Sequence, residues 1–421
     1  MAWRGVGRHL PVLAIRNFRL LLADRLLAPA AFAFSLVGVS FAVLNTTGAT
    51  ADLSYVLAAQ IAPSLVFTLL GGVVADRIPP QRVIIAGNVM IAVSEGTFGL
   101  LVLCQQAQLW QMLLLETLTG TGYALFYPAS QALLPRLVPS ELLQQASALS
   151  RLAMNAAQMG GAAAAGLVAA AAGPGWALTI CGTGMLVSVP LLASIRTAGR
   201  EPQERPGMLR ELREGWSEFR SRTWLWAIVA QFCVILMAWY GSFQVLGPVV
   251  AKEHLGGPAA WGAITAAESA GLIVGGVASL RFAPRRPMLF VVLIGAAMAI
   301  SPLSLAMLWP LPVICLASCG LGITIEMMMI QWTVALTRNV PPGTLARVFA
   351  YDALGSVMAM PAGALVAGPV AAAIGVSVTQ YGAAAAILVA SALALLPRDV
   401  RAFGTGGPPR QPARAVASSG T

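Results

Sequence analysis

Charge is what this 421-residue chain has least of. Only 10% of its residues are charged, against roughly 25% in an average soluble protein. A soluble domain of this size needs more polar surface to cover its core. A disordered chain needs far fewer apolar residues. With 58% hydrophobic residues and a mean hydropathy of +0.78, the composition is that of an integral membrane protein. Lysine is nearly missing: of 26 basic residues 25 are Arg, and Lys252 is the exception. A phosphate-cradling loop needs Gly-Lys followed by Ser or Thr. Lys252 sits in V-V-A-K-E, so no P-loop ATPase is present, and it lies between apolar runs, where a retinal Schiff base has no place. Histidine is limited to His9 and His254, both outside the apolar runs, which argues against a histidine proton relay or metal path. The cysteines Cys104, Cys181, Cys233, Cys315 and Cys319 all fall within apolar runs. They read as small buried hydrophobes, even where Cys315 and Cys319 are one helical turn apart. No metal and no cofactor is expected.

What is there is a series of long apolar stretches. A helix needs about 20 such residues to cross the hydrocarbon core. Uncharged runs predict spans at 26–45, 53–74, 83–104, 108–127, 144–171 and 176–195, then at 224–248, 258–280, 288–308, 312–335, 347–372 and 377–396. Gly173-Pro174-Gly175 divides one long run, and Gly375 with the β-branched residues after it divides another. The fold class expected is an all-α membrane protein of twelve transmembrane helices in two pseudo-symmetric six-helix halves. The N-terminal half covers 1–195 and the C-terminal half 224–400. Between them, 196–223 reads as a cytoplasmic linker with an amphipathic helix, and 401–421 as a disordered cytoplasmic tail rich in Gly, Pro, Ser and Arg.

Arginine gives the orientation. Cytoplasmic loops collect basic residues. Arg4, Arg8, Arg16 and Arg19, the loops after even-numbered spans and the tail hold the Arg outside the spans, while the opposite loops hold only Lys252. Both termini are therefore expected in the cytoplasm of a bacterial cell, with the protein in its inner membrane. The net charge of +10 then faces anionic lipid and not nucleic acid.

The halves also repeat. Gly71-Gly72-Val73 with Arg77, Pro80 and Arg82 recurs 204 residues later as Gly275-Gly276-Val277 with Arg281, Pro284 and Arg286. Leu134-x-Arg136-x-Val138-Pro139 recurs after 202 residues at Leu336, Arg338, Val340 and Pro341, and Gly161 and Gly166 recur after 202 as Gly363 and Gly368. Parallel repeats of six spans are a transporter architecture.

These residues resemble the major facilitator superfamily, whose loop between spans two and three reads roughly G-x-L-A-D-R-x-G-R-R. Here it reads Gly72-Val-Val-Ala75-Asp76-Arg77-Ile-Pro79-Pro80-Gln81-Arg82; Gly, Asp and Arg match, while Pro79, Pro80 and Gln81 depart. The stretch from Phe126 to Pro139 and the opening Arg16-Asn17-Phe18-Arg19 look like the macrolide-efflux and enterobactin-exporter branch. The resemblance implies that Gly72, Asp76, Arg77 and Arg82 gate the carrier by docking on the N-terminus of span eleven, near Arg347 and Asp352. Gly160-Gly161-Ala162 stands where antiporters of the superfamily often carry a Gly-Pro pair, which weakens the antiport reading.

Charges inside spans are costly, about 2.5–3.5 kcal/mol each on insertion scales, and ask for a reason. Glu95, Glu116, Glu268 and Glu326 lie well inside spans, and Arg151 is the basic residue deepest in one. They are the candidate proton and substrate groups; the alternative for each Glu is a protonated carboxyl hydrogen-bonded to a neighbouring helix. Asp24 and Arg25 read as a pair at the mouth of span one. Gly161, Gly166, Gly363 and Gly368 are expected to let spans five and eleven pack closely and rock. Trp239, Tyr240, Phe243, Met327, Met328, Met329 and Trp332 are candidates for an adaptable apolar cavity, with packing the alternative. The expectation is a proton-coupled exporter of an amphiphilic small molecule, working as a monomer in the bilayer and not as an enzyme. Uncoupled transport or uptake, and a membrane sensor or scaffold without flux, are the alternatives.

Overall fold

A computed structural model describes residues 11–75, 79–195, 220–282, 284–340, 348–349, 351–352, 355–356 and 358–403. The linker 196–219, the tail beyond 403, Asp76, Arg77 and Arg347 lie outside the described residues. The long elements are all helical: α1 (Arg16–Thr46), α2 (Thr50–Ala75), α3 (Pro80–Leu103), α4 (Leu109–Leu133), α5 (Leu143–Ala171), α6 (Pro174–Ala193), α7 (Thr223–His254), α8 (Pro258–Ser279), α9 (Pro287–Ala306), α10 (Leu311–Asn339), α11 (Ala359–Ile374) and α12 (Val376–Ala394). Among the described residues nine of these are long and apolar enough to cross a membrane: α1, α3, α5 to α10, and α12. Helices α2 and α4 occupy two further predicted stretches, and α11 is a shorter apolar helix.

The breaks follow local chemistry. Gly173 and Gly375 adopt φ of +96° and +93°, a backbone region that costs glycine nothing and other residues a steric clash. Each stands at the start of the next helix, and the two are 202 residues apart, the spacing of the sequence repeat. Helix α7 carries a π-helical turn at Tyr240–Val245. Helix α1 starts ten residues before the predicted span. Asp24 and Arg25 therefore lie inside the helix and not ahead of it, and they are buried in the bundle, at 1% and 4% exposure.

Packing follows a pattern. In the first group α1 packs on α5 and α6, α3 on α4 and α6, and α2 on α4. In the second, α7 packs on α11 and α12, α9 on α10 and α12, and α8 on α10. The groups meet where α5 crosses α8 and where α2 crosses α11. The repeated glycines sit in corresponding contacts. A Cβ on Gly161 would meet the Ala30 backbone of α1, and one on Gly363 the Met237 backbone of α7. A Cβ on Gly166 would lie 2.7 Å from the Pro258 carbonyl of α8, and one on Gly368 would overlap Ser54 and Thr50 of α2.

The two groups share apolar cores at the end opposite most arginines. One core joins Val39, Val43, Leu53 and Leu57 to Val245, Val249, Ala367 and Ala371. There Lys252 Nζ also donates to the Leu44 carbonyl at 2.6 Å. At the arginine-rich end the core of the first group, Phe18, Leu21, Ile84, Leu133 and Ile195 among it, contains no residue of the second among the described residues.

Candidate functional site

Two of the candidate acids form one buried cluster in the first group. Glu95 on α3 and Glu116 on α4 have no exposed surface. Ser35 on α1 donates to Glu95 Oε1 at 2.6 Å, with Thr119 Oγ1 on α4 at 3.4 Å from the same oxygen. Gln60 Nε2 on α2 donates to Glu116 Oε2 at 2.7 Å. Ser94 Oγ donates to the Leu115 carbonyl and ties α3 to α4 at this level. Glu95 Oε2 and Glu116 Oε1 lack a hydrogen-bond partner among the described residues. Each carboxyl is thus held on one side by a neutral donor and has its other oxygen in apolar surroundings, where a bound proton removes the cost of a buried charge.

One pair of candidates joins the two groups. Arg151 on α5 and Glu326 on α10 form a two-point ion pair, Nε to Oε1 at 2.8 Å and Nη2 to Oε2 at 3.2 Å. Planar guanidinium and carboxylate suit this geometry. The Arg151 side chain is 61% exposed and that of Glu326 only 6%, so the pair is worth between the roughly 1 kcal/mol of an exposed bridge and the roughly 3–5 kcal/mol lost on breaking a buried one. Arg151→Gln, which strands the less exposed carboxylate, is expected to impair transport more than Arg151→Gln combined with Glu326→Gln, measured as flux per folded protein. Glu268 on α8 is half-buried, and its backbone carbonyl lies where a Cβ on Gly322 of α10 would clash. The structure brings Arg151 and Glu326 together and Glu95 and Glu116 together; Glu268 joins neither set.

Of the expected gating residues, Gly72 lies in the last turn of α2 and Arg82 in the first turn of α3, exposed. Asp352 accepts from Trp332 Nε1 at 2.9 Å and from Ser356 Oγ at 3.4 Å, which braces the chain before α11 against α10. The aromatic and methionine residues expected to line a cavity are mostly core. Trp332 is 1% exposed and stacks edge-on against Trp224 and Phe232, Phe243 packs on Trp261, and Met327 and Met328 are buried; only Met329 is exposed. These ring contacts tie α7 to α10 and to α8.

Sequence reasoning passed over a cavity in the first group. Its volume is about 90 Å³, and it is lined from α1, α3, α4, α5 and α6, with Arg25, Phe32, Asn88, Tyr123 and Ser130 among its walls. Asn88, a polar residue in an apolar span, was the available signal.

The fold is that of a multi-pass membrane transporter. The sequence pattern of the Major Facilitator Superfamily matches residues 26–351, and the chain belongs to that superfamily. It is 28% identical over 283 residues to the enterobactin exporter EntS of Escherichia coli O1:K1 / APEC, covering 66% of this chain and 67% of that one. It is 24% identical over 354 residues to macrolide efflux protein A of Streptococcus pyogenes, covering 81% and 86%. The fold is similar to that of a bacterial homologue of the human lysosomal transporter Spinster in an inward-facing, unoccupied conformation, with a TM-score of 0.71 at 16% identity over 92% of this chain and 98% of that one.

Proposed function

We propose that the protein is a twelve-span secondary transporter of the bacterial inner membrane that exports an amphiphilic small molecule in exchange for protons. The observation that carries the proton coupling is the Glu95–Glu116 cluster, two fully buried carboxyls each with one unpartnered oxygen. Gain or loss of a proton at such a group switches the cost of a buried charge off or on, which links protonation to conformation. The direction of transport is supported by similarity to two exporters, EntS and macrolide efflux protein A. An uncoupled carrier is the second reading, favoured by Gly160-Gly161-Ala162 in place of a Gly-Pro pair.

Two six-helix halves account for the packing pattern. Adding six to each helix number converts the contacts of the first group into those of the second, and exchanges α5·α8 with α11·α2. Such a pair of bundles alternates by rocking about the shared interface. With the arginine-rich end in the cytoplasm, the shared core and the Lys252–Leu44 contact close the outer end. This is an inward-facing carrier. Asp76, Arg77 and Arg347 complete a cytoplasmic gate in this proposal, with Asp352 holding the α11 side.

Orientation is tested by single cysteines in a cysteine-free background. Glu253→Cys, at an exposed position beside Lys252, is expected to react with an impermeant maleimide in whole cells. Ser140→Cys, at the opposite end, is expected to react only in inverted vesicles. The reverse pattern contradicts the proposed orientation. Transport itself is tested by a substrate panel in a pump-deficient host. Lower intracellular accumulation of a compound on expression supports export, and unchanged accumulation of every compound sinks it.

A further inference from the structure

We propose that Tyr240 of α7 is a positioning residue for proton exchange at Glu116: its phenol donates to Glu116 once that carboxyl is ionised, and so ties the proton site of the first group to the second. The inference rests on the proton-coupled reading and adds a residue to its site.

Tyr240 is 9% exposed and opens the π-helical turn of α7. Such turns are rare and are found mostly at functional sites. The neighbouring helices hold this one in place. Gln380 of α12 donates to the Ser242 carbonyl at 2.9 Å, and a Cβ on Gly241 would lie 2.9 Å from the Gly363 carbonyl of α11. The turn also touches α2. The Tyr240 ring packs edge-on against Trp239 at 6.1 Å and shares a core with Leu53, Val56 and Leu57 of α2 and with Met112 and Leu115 of α4. Tyr240 thus reaches the two helices of the first group that carry Gln60 and Glu116.

Glu116 is one donor short. Gln60 Nε2 donates to Oε2, while Oε1 is buried with no hydrogen-bond partner among the described residues. That arrangement suits a carboxyl that keeps its proton. An ionised carboxylate in the same place needs a second donor, because an uncompensated buried charge is costly. The ionisable groups that act on Glu116 or feel its charge are Glu95 on α3, Cys181 on α6 and Tyr240 on α7; none of them is a cation, and α2 contributes the neutral Gln60. Glu95 can donate only while it keeps its own proton, and a thiol is a weak donor. The phenol donates throughout the physiological range, and of the three groups it is the one supplied by the second half.

Tyr240 belongs to the core that closes the outer end. Loss of the Glu116 proton therefore strengthens a contact between α4 and α7 and favours the closed outer end, and return of the proton releases it. A chemical event inside one group then biases the position of both.

The test reads the outer end directly. Spin labels at Thr46→Cys and Glu253→Cys, both exposed, are placed in a background whose five native cysteines are alanine. The full-length protein in lipid nanodiscs is measured across pH with no gradient, the proton being the only ligand. This background is expected to move toward the shorter distance as pH rises, by about tenfold or more in the ratio of short to long, as for a hydrogen bond to a charged group. Tyr240→Phe keeps the ring and removes the hydroxyl, and is expected to lose most of that response. Glu116→Gln is expected to lose it as well, and the double variant to match Glu116→Gln, because a coupled pair has one effect to lose. Tyr240→Phe that shifts the distance equally at every pH and adds to Glu116→Gln, or that keeps the full pH response, overturns the inference and leaves Glu116 as the proton site. A background with no pH response overturns the inference together with the proton-coupled reading.

Discussion

Gly166→Leu is expected to abolish transport while the protein still folds and reaches the membrane. Gly166 on α5 and Gly262 on α8 face each other so closely that a Cβ on either meets the other's backbone, at 2.8 Å and 2.7 Å to Cα. Backbone atoms cannot rotate away as a side chain can, so the helices must part. Overpacking of this kind costs about 1–3 kcal/mol. Applied only to the state in which these ends are packed, that energy shifts a two-state equilibrium about 5- to 150-fold. The rest of the bundle is untouched, so melting in detergent should change little. Gly368→Leu strikes the matching contact with Thr50 and Ser54 and should act the same way. Gly160→Leu, six residues earlier on α5 with nothing within 4 Å of its Cβ, should be nearly silent. Distances between spin labels near residues 48 and 256 should lengthen in Gly166→Leu. Normal transport by Gly166→Leu means that this interface does not open during the cycle.

Glu116→Gln and Glu95→Gln are expected to reduce transport to a downhill leak. Glutamine keeps the shape of the protonated acid and one acceptor for Gln60 or Ser35, so folding should be retained. It cannot release a proton. Glu116→Leu differs: it leaves the Gln60 amide buried without its acceptor, a desolvation cost of about 1–3 kcal/mol. Leucine should therefore lose both stability and transport, and glutamine transport alone. Full proton-driven transport by both Gln variants identifies the pair as permanently protonated packing groups. Counterflow, which exchanges labelled for unlabelled substrate without net proton movement, should survive in both.

The helices were legible because lipid imposes a strict length and polarity rule. The breaks at Gly173 and Gly375 were legible because no other residue tolerates their φ cheaply. The start of α1 was not. Asp24 and Arg25 look like a boundary to any reading based on charge, whereas the fold buries them by giving Arg25 acceptors from Ser130 and Met154, residues more than a hundred positions away. The Arg151–Glu326 pair, 175 residues apart, was equally hidden: depth within a span was readable, partnership was not. Glycines 161, 166, 363 and 368 fell where the repeat placed them, since a close helix crossing leaves a mark in composition. Aromatic and methionine content misled, because a core and a cavity wall use the same residues.

Inverted membrane vesicles carrying the protein, acidified inside, offer the most direct measurement. Enterobactin and a macrolide are presented outside, with lumenal pH and substrate followed together. Proton-coupled export predicts that at least one substrate accumulates in the lumen above its outside concentration while the lumen loses protons. A protonophore should collapse both, and Glu116→Gln should abolish both. Accumulation that persists when the proton gradient is gone, or flux that only ever runs downhill, contradicts it.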